Sequence, residues 1–343
     1  MSAVSVRDSV DEVDLALINA VQVRPRASWS TLGRALELDP ATAARRWERL
    51  HAAGLSWVTC VVGPARHTDF CMAYVEIGCA PGQLDAVANT LAAHRIVRYV
   101  HQLSGPYGLL IVLARRSPAL ISEFLRDTVD PLPGVHCWQA ELRTVGYSEA
   151  SSWRLRSLSP AQRHALDPAR NDTAAPTRID ATDQRIYRLL HEDGRMPFTE
   201  LAERAEISEP TARRRLNRLL DNRYLRLRCD MAQSISGYPV TAVIRASVAP
   251  ERLDEIARSL ATWAQLRLCC ALTGERNLLL MVWLRALHEL PRFEAEITER
   301  TPGLRIVDRA TCLHTVKQMG RLLDIEGRSI GNVPPDQESF PVR

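Results

Sequence analysis

The chain has almost no lysine. Lys317 is the only one in 343 residues, so nearly all of its 44 basic side chains are arginine. Genome base composition produces such a bias, so it carries little weight as a nucleic-acid signal, and the net charge of +4 is mild. The eight cysteines, at 60, 71, 79, 137, 229, 269, 270 and 312, contain no CxxC pair and no metal-like spacing. Most lie in apolar runs, where cysteine behaves as a small buried hydrophobe, so we expect a reducing cytoplasmic setting without disulfides, metal or other cofactor. Residues 1–10 lack the apolar run of a signal peptide. No stretch is long enough to span a bilayer, so no membrane partner is expected. The nine histidines are scattered, and H-E-x-x-H, G-x-S-x-G and phosphate-loop motifs are missing, so an enzyme is not expected. His101 falls in a strand-like run and reads as structural. Cys269 and Cys270 read as core and flank.

What the chain does have is an internal repeat. Asp14 and Asp183, Leu32 and Leu201, Thr42 and Thr211, Arg46 and Arg215, Leu50 and Leu219, Gly105 and Gly274, Phe124 and Phe293, and Pro133-Gly134 and Pro302-Gly303 are all 169 residues apart, as 14 is from 183. An offset that holds without a gap marks a duplicated module of about 140–150 residues, a usual domain-pair size.

The sharpest stretch lies in the second copy, at residues 207–220. Ser208 is a good N-cap and Pro210 sits in the first turn, where its missing N–H costs nothing. Ala212, Leu216 and Leu219 share one inward face. Arg213, Arg214, Asn217 and Arg218 then point outward, with Thr211 and Arg215 on the flanks. Such a helix suits a DNA major groove, since arginine binds guanine edges or phosphates and asparagine pairs with adenine. Taken alone, it reads equally well as a solvated basic face. Its neighbours favour DNA. Asp180 to Asp183 cap a helix carrying Ile186, Leu189 and Leu190, residues 192–197 break it, and Thr199 is expected to cap a second helix with Leu201, Ala202 and Ala205. Together they make a helix-turn-helix unit. The first copy repeats it, with Asp11 as N-cap, a second helix at 30–36 and a third at 40–51 that turns Ala43, Trp47 and Leu50 inward. The candidate DNA-binding residues are Thr42, Arg45, Arg46 and Arg49 in copy one, and Ser208, Thr211, Arg213, Arg214, Arg215, Asn217 and Arg218 in copy two. Across the offset, Arg213 becomes Ala44 and Asn217 becomes Glu48, so the two heads should contribute unequally.

Head one is followed by a strand leaving it, at 55–62, and each copy then has a βαββαβ order. In copy one the six elements lie at 70–78, 84–93, 96–104, 109–114, 118–128 and 135–145. In copy two they lie at 241–248, 253–263, 266–273, 278–284, 290–300 and 304–315. This is the ferredoxin-like arrangement. The expected class is therefore α+β, with two copies of a three-helix head plus a ferredoxin-like domain. The boundaries are head one at 1–54, ferredoxin-like domain one at 55–147, a linker at 148–179 with a short helix at Ser159-Pro160, head two at 180–224, ferredoxin-like domain two at 225–326, and a mobile polar tail at 327–343.

These residues in order, seen twice, resemble the leucine-responsive regulatory protein/asparagine-operon regulator (Lrp/AsnC, feast/famine) family. Copy two carries the likeness best, in Asp183, Ile186, Leu189-Leu190, Asp193-Gly194-Arg195, Leu201-Ala202, Ser208, residues 211–216, Leu219, Leu272-Thr273-Gly274 and Pro302-Gly303-Leu304. The resemblance implies a transcriptional regulator with winged-helix-like heads and sensing, oligomerising RAM domains, here in a tandem fused form. Its implied partners are a double-stranded DNA operator, a small-molecule effector (an amino acid or an anionic metabolite) and further copies of the chain in a dimer or tetramer. The family's ligand loop runs glycine, any residue, an aromatic, then aspartate. Copy one has Gly105, Pro106, Tyr107 and Gly108, without the carboxylate. Copy two has Gly274, Glu275, Arg276 and Asn277, where Arg276 favours an anion over an ammonium group. Gly105, Tyr107, Gly108, Gly274, Arg276 and Asn277 are the candidate effector residues. Two alternatives stand beside the regulator. One is a sirohaem-decarboxylase-like enzyme, whose Met-(Ile/Val)-His-Gly motif is missing from residues 104–108 and 273–277. The other is a sensing scaffold that has lost DNA binding.

Overall fold

The computed structural model describes residues 10–149, 154–166 and 178–342. Residues 1–9, residues 150–153 and 167–177 of the expected linker, and residue 343 lie outside that description.

Copy one opens with α1 (Glu12–Val23), α2 (Trp29–Leu36) and α3 (Pro40–Ala52), then β1 (Ser56–Val62). It continues through β2 (Cys71–Cys79), α4 (Leu84–Ala93), β3 (Val97–Leu103), β4 (Gly108–Arg115), α5 (Pro118–Phe124) and β5 (Val135–Ser148). A short helix, α6 (Pro160–Leu166), precedes copy two. There α7 (Ala181–Glu192), α8 (Phe198–Ala205) and α9 (Glu209–Asp221) are followed by β6 (Leu225–Met231), β7 (Val240–Val248), α10 (Pro250–Leu260), β8 (Leu266–Leu272), β9 (Leu278–Leu284), α11 (Leu290–Arg300) and β10 (Leu304–Gln318). Two further strands, β11 (Arg321–Leu323) and β12 (Ser329–Asn332), extend the edge.

The helix starts follow local chemistry. Asp11 with Asp14, and Asp180 with Asp183, form capping boxes at α1 and α7, each pair satisfying two backbone donors. Three details differ from expectation. The second helix of copy one starts at Trp29 rather than at 30, with Ser28 as its N-cap accepting from the Thr31 amide. Pro197 is the N-cap of α8, so Thr199 lies inside the helix and caps nothing. Ser208 is the N-cap of α9, but its hydroxyl donates to the Thr211 hydroxyl at 2.9 Å instead of accepting from the backbone.

Each copy has the ferredoxin strand order, β3-β4-β2-β5 in the first and β10-β7-β9-β8 in the second. The two sheets join edge to edge. β5 pairs with β8 and β10 with β3, closing the eight strands into one ring. Closure leaves none of the eight as a free edge. The pairs Arg143↔Leu272 and Leu103↔Cys312 are each other's image under the 169-residue offset, so the ring has an internal pseudo-two-fold. The heads are joined in the same way. β1 and β6 form an antiparallel ribbon, and Thr59 lies opposite its own equivalent, Arg228.

The heads and ribbon share one apolar core, which includes Leu17, Leu32, Leu50, Leu201, Leu216 and Leu219. Each ferredoxin-like unit packs two helices on its sheet. Tyr74, Leu110, Val112, Val243 and Leu279 fill the space between the two sheets. Among them sits a charge pair. Glu76 and Arg245 occupy the same position in the two copies and meet at 2.5 Å, both almost fully buried.

Residues 327–342 do not form the expected mobile tail. β12 pairs with β11, and Phe340 is buried against Tyr187 with ring centroids 5.2 Å apart. Gln184 donates to the Phe340 carbonyl at 2.7 Å, and Arg115 pairs with Asp336 and Glu338. One buried aromatic and these polar contacts secure a segment whose composition reads as loop. The described part of the linker behaves similarly on the other head. The Leu155 and Leu158 amides donate to Gln22 and Asn19 of α1, and Leu158 and Leu166 enter the head core.

Candidate nucleic-acid interface and sensing loops

Both third helices bury the expected stripe, Ala43, Trp47 and Leu50 in α3 and Ala212, Leu216 and Leu219 in α9. The outward residues then divide into two groups. Arg46 pairs with Asp11 at 2.8 Å and Asp14 at 2.9 Å, and Arg49 also closes on Asp14. Arg215 pairs with Asp180 at 2.7 Å and Asp183 at 3.0 Å, and Arg218 reaches Asp183 at 2.6 Å. Asp14 and Asp183 are 1 % and 0 % exposed, so each buried carboxylate fastens the third helix to the first through two charge-assisted contacts. Arg49 and Arg218 were expected among the outward arginines. They are instead drawn back along the helix surface, because a buried carboxylate holds a guanidinium better than solvent does.

The second group stays exposed, with Arg45 and Glu48 on α3 and Arg213, Arg214 and Asn217 on α9. Arg213 is partly restrained, pairing with Glu209 at 2.9 Å and lying 4.1 Å over the Phe198 ring. Thr42 and Thr211 are half-buried on the flank and Ser208 is exposed at the start of α9.

Residue spacing did not reveal what orients the heads. Arg26 donates to the Gly194 and Met196 carbonyls at 2.8 Å each. Its equivalent Arg195 donates to the Pro25 and Ala27 carbonyls at 2.5 and 3.0 Å. Each also covers an aromatic ring of its partner head, Arg26 at 4.4 Å over Phe198 and Arg195 at 4.0 Å over Trp29. The clasp is reciprocal and, with the β1–β6 ribbon, fixes the two third helices relative to each other. Burial lowers the Arg195 guanidinium to about 10, with Arg26 adding to the fall. The available signal was that both turn positions carry arginine at the repeat offset.

The sensing loops are occupied by protein contacts. Arg276 lies between Glu76 at 2.8 Å and Glu141 at 3.0 Å. It is therefore neutralised in place, and its expected preference for an anion does not hold. Asn277 braces β7, accepting from the Val248 amide at 2.9 Å and donating to its carbonyl at 2.8 Å. The Tyr107 hydroxyl donates to Gln139 at 3.2 Å. Gly105, Gly108 and Gly274 take positive φ (102°, 77° and 93°), where glycine is favoured, and mark the tight turns. Just before the loops, Ser104 and Thr273 exchange hydrogen bonds with Thr311 and Leu142 of the other copy, sealing the ring at equivalent points.

A cavity of about 350 Å³ lies where the ribbon and α7 meet the ring. His101 faces it, with Nδ1 3.0 Å from the Thr315 hydroxyl and its pKa pushed down to about 4 by burial. That agrees with a structural role and also leaves a neutral imidazole on the cavity wall. Among the described residues no group of three or more His, Cys, Asp or Glu side chains is placed to hold a metal, and no helix is long and apolar enough to cross a membrane.

Comparison with known proteins places these features. Residues 10–51 and 179–220 match the AsnC-type helix-turn-helix domain, and residues 72–140 and 241–322 match the Lrp/AsnC ligand binding domain. An uncharacterized HTH-type transcriptional regulator of Pyrococcus abyssi is 31 % identical over 144 residues, which is 42 % of this chain and 90 % of that protein. The leucine-responsive regulatory protein of Rhizobium meliloti is 28 % identical over 152 residues, 43 % of this chain and 96 % of its own length. Each relative thus aligns with less than half of this chain. The siroheme decarboxylase NirDL, solved with an iron-uroporphyrin III analogue, has a similar fold across 90 % of this chain and 93 % of its own, with a TM-score of 0.59 and 16 % identity.

Proposed function

Since this chain belongs to the Lrp/AsnC family, with both family domains present twice, we propose that it is a sequence-specific DNA-binding transcriptional regulator in which one chain supplies both heads. The observation that carries this reading is the clasped pair of third helices. Each leaves cationic or hydrogen-bonding side chains exposed after its structural arginines have been claimed by Asp14 and Asp183. Arg214, Arg213 and Asn217 give α9 a stronger reading face than Arg45 and Glu48 give α3. Glu48 repels phosphate, although it can accept from a cytosine amino group. Two unlike half-sites follow. Arginine–phosphate contacts should supply most of the affinity and make it steeply salt-dependent. The test is capture of genomic DNA fragments by the full chain, then affinity for the recovered sequence and for a scrambled duplex at several salt concentrations. Discrimination of about a thousandfold or more supports the reading. Equal binding to both duplexes contradicts it.

The cavity supports a second reading, an enzyme acting on a carboxylated tetrapyrrole. The similar fold of NirDL carries an iron-uroporphyrin III analogue, and arginines line this chain's cavity. Incubation with sirohaem decides between the two. Loss of carboxylate from sirohaem as carbon dioxide would establish the enzyme, and unchanged sirohaem with specific operator binding would establish the regulator.

A further inference from the structure

The cavity between ribbon and ring is built symmetrically and lined asymmetrically. Its walls come from both parts of the molecule, with Val61 of β1, Arg228 of β6 and Tyr187 of α7 on the head side and strands of both sheets opposite. Many wall positions are repeat equivalents. Arg98 and Arg267 are one such pair, the same residue at the same position of each copy, and both line the cavity. Both are buried, at 7 % exposure. The Arg267 guanidinium carbon lies over Trp283, 3.8 Å from the ring centroid, and burial lowers its pKa to about 9. Arg98 hydrogen-bonds Tyr187 and makes no ion pair among the described residues. For Arg98, burial without an ion-pair partner among the described residues is costly, and an anion in the cavity offsets that cost.

The other wall positions have diverged. Arg143 stands where copy two has Cys312 and Ala114 where it has Trp283, while His101 lines the wall and its equivalent Cys270 does not. Copy one therefore lines its side with cation and imidazole, and copy two with thiol and indole. Among the described residues the acidic groups on the wall are Glu149, already paired with Arg143 at 3.2 Å, and Asp324 and Glu326. Asp230, just behind the wall, pairs with Arg228 at 2.5 Å and raises the Arg267 pKa. The rest is largely apolar, including Phe70, Met72, Val112, Leu268 and Met281. A cavity of about 350 Å³ falls at the small end of ligand sites.

We propose that this cavity binds one anionic aromatic molecule per chain, its acid group held by Arg98 and Arg267 with Arg143 on one side, and its rings among the apolar walls. Two identical subunits would have to line such a cavity identically on both sides. Fusion of the copies permits a single polar orientation, so the expected stoichiometry is one. If the regulator reading holds, this is the effector site in place of the occupied loops; binding itself does not depend on that reading.

The test uses the full chain and two fluorescent probes of the same ring framework, anionic 8-anilinonaphthalene-1-sulfonate and neutral N-phenyl-1-naphthylamine. The anion should bind saturably at one per chain, raise the melting temperature, and bind at least about tenfold tighter than the neutral probe. Three substitutions install residues that copy two already accommodates at the equivalent positions, or remove one charge. Arg143→Cys and Arg267→Gln should each weaken the anion about tenfold, and Ala114→Trp should block it by filling space without touching a charge. Melting curves confirm that each variant is folded. Two or more sites per chain, equal affinity for the neutral probe, or unchanged binding in folded Arg143→Cys and Ala114→Trp proteins would overturn the proposal. DNA binding enters none of these readouts, so failure here is distinct from failure of the regulator reading.

Discussion

The two copies agree where they hold the fold together and differ where they meet something else. The Arg46–Asp11–Asp14 and Arg215–Asp180–Asp183 networks repeat to within a few tenths of an ångström, and the Arg26 and Arg195 clasps are reciprocal. Equivalent faces of the first helices are covered too, α1 by the linker through Gln22 and Asn19, and α7 by the tail through Phe340. The difference is plainest at Glu76 and Arg245. In a dimer of identical chains, residues facing each other at such a position carry the same charge and repel. Here one position has become acidic and its image basic, and they pair. Fusion removes the requirement that both sides be alike. The same freedom gives unlike reading faces on α3 and α9 and unlike cavity walls.

Breaking the Glu76–Arg245 pair should have the largest effect. Glu76→Ala leaves buried Arg245 with only the half-exposed Asp308, 3.6 Å away, and takes one of two carboxylates from Arg276, so a loss of about 3–5 kcal/mol is expected in denaturant unfolding. Arg245→Ala should cost less, because Glu76 keeps Arg276. A smaller loss for Glu76→Ala than for Arg245→Ala would show that the pair does not anchor the copies.

The matched networks give the opposite comparison. Asp14→Ala and Asp183→Ala should each cost about 2–3 kcal/mol, since each frees two partly solvated arginines, and the two losses should agree closely. A clear inequality in unfolding midpoints would mean that the heads are not braced equivalently.

Lys317 tests a position where the copies differ, since copy one has Ser148 there. It is fully buried, donates to the His94 carbonyl at 2.8 Å, and burial, with Arg98 nearby, lowers its pKa to about 7. Between that value and the ordinary 10.5, the unfolded chain holds a proton that the folded chain lacks. Stability should therefore rise with pH across this window, by up to about 1.4 kcal/mol per pH unit from this group. Below about pH 7 both states are protonated and the burial penalty is fully present. Lys317→Met should remove this component, and an unchanged pH slope would refute it.

The smallest expected effect concerns the loops. With Arg276 and Asn277 committed to protein partners, leucine, asparagine and other plain amino acids at millimolar concentration should leave the melting temperature nearly unchanged. A ligand at a hundred times its Kd stabilises by about 2.7 kcal/mol, so a real site would be obvious.

The repeat, the helical stripes and the strand order were legible because each depends on local periodicity. The heads' third helices were placed correctly, but the fate of their arginines was not. A helical wheel gives the direction of Cβ, whereas Arg49 and Arg218 bend back to carboxylates 35 residues earlier. The tail was misread because its polar, proline-containing composition hides the single anchor Phe340. The cavity arginines were missed although both occur at the repeat offset, since neither belongs to a short motif. Ring closure depends on which strand edges meet, and no single strand's pattern encodes its partner.

The unequal heads are the core of the functional account, and one comparison tests them directly. Operator binding by Arg214→Ala and Arg45→Ala chains should be measured at the same salt concentrations, with the salt slope recorded for each. Arg214→Ala should lose about 1–3 kcal/mol and relax discrimination at one base pair, and Arg45→Ala should lose less. Equal losses, or a larger loss for Arg45→Ala, would contradict the account.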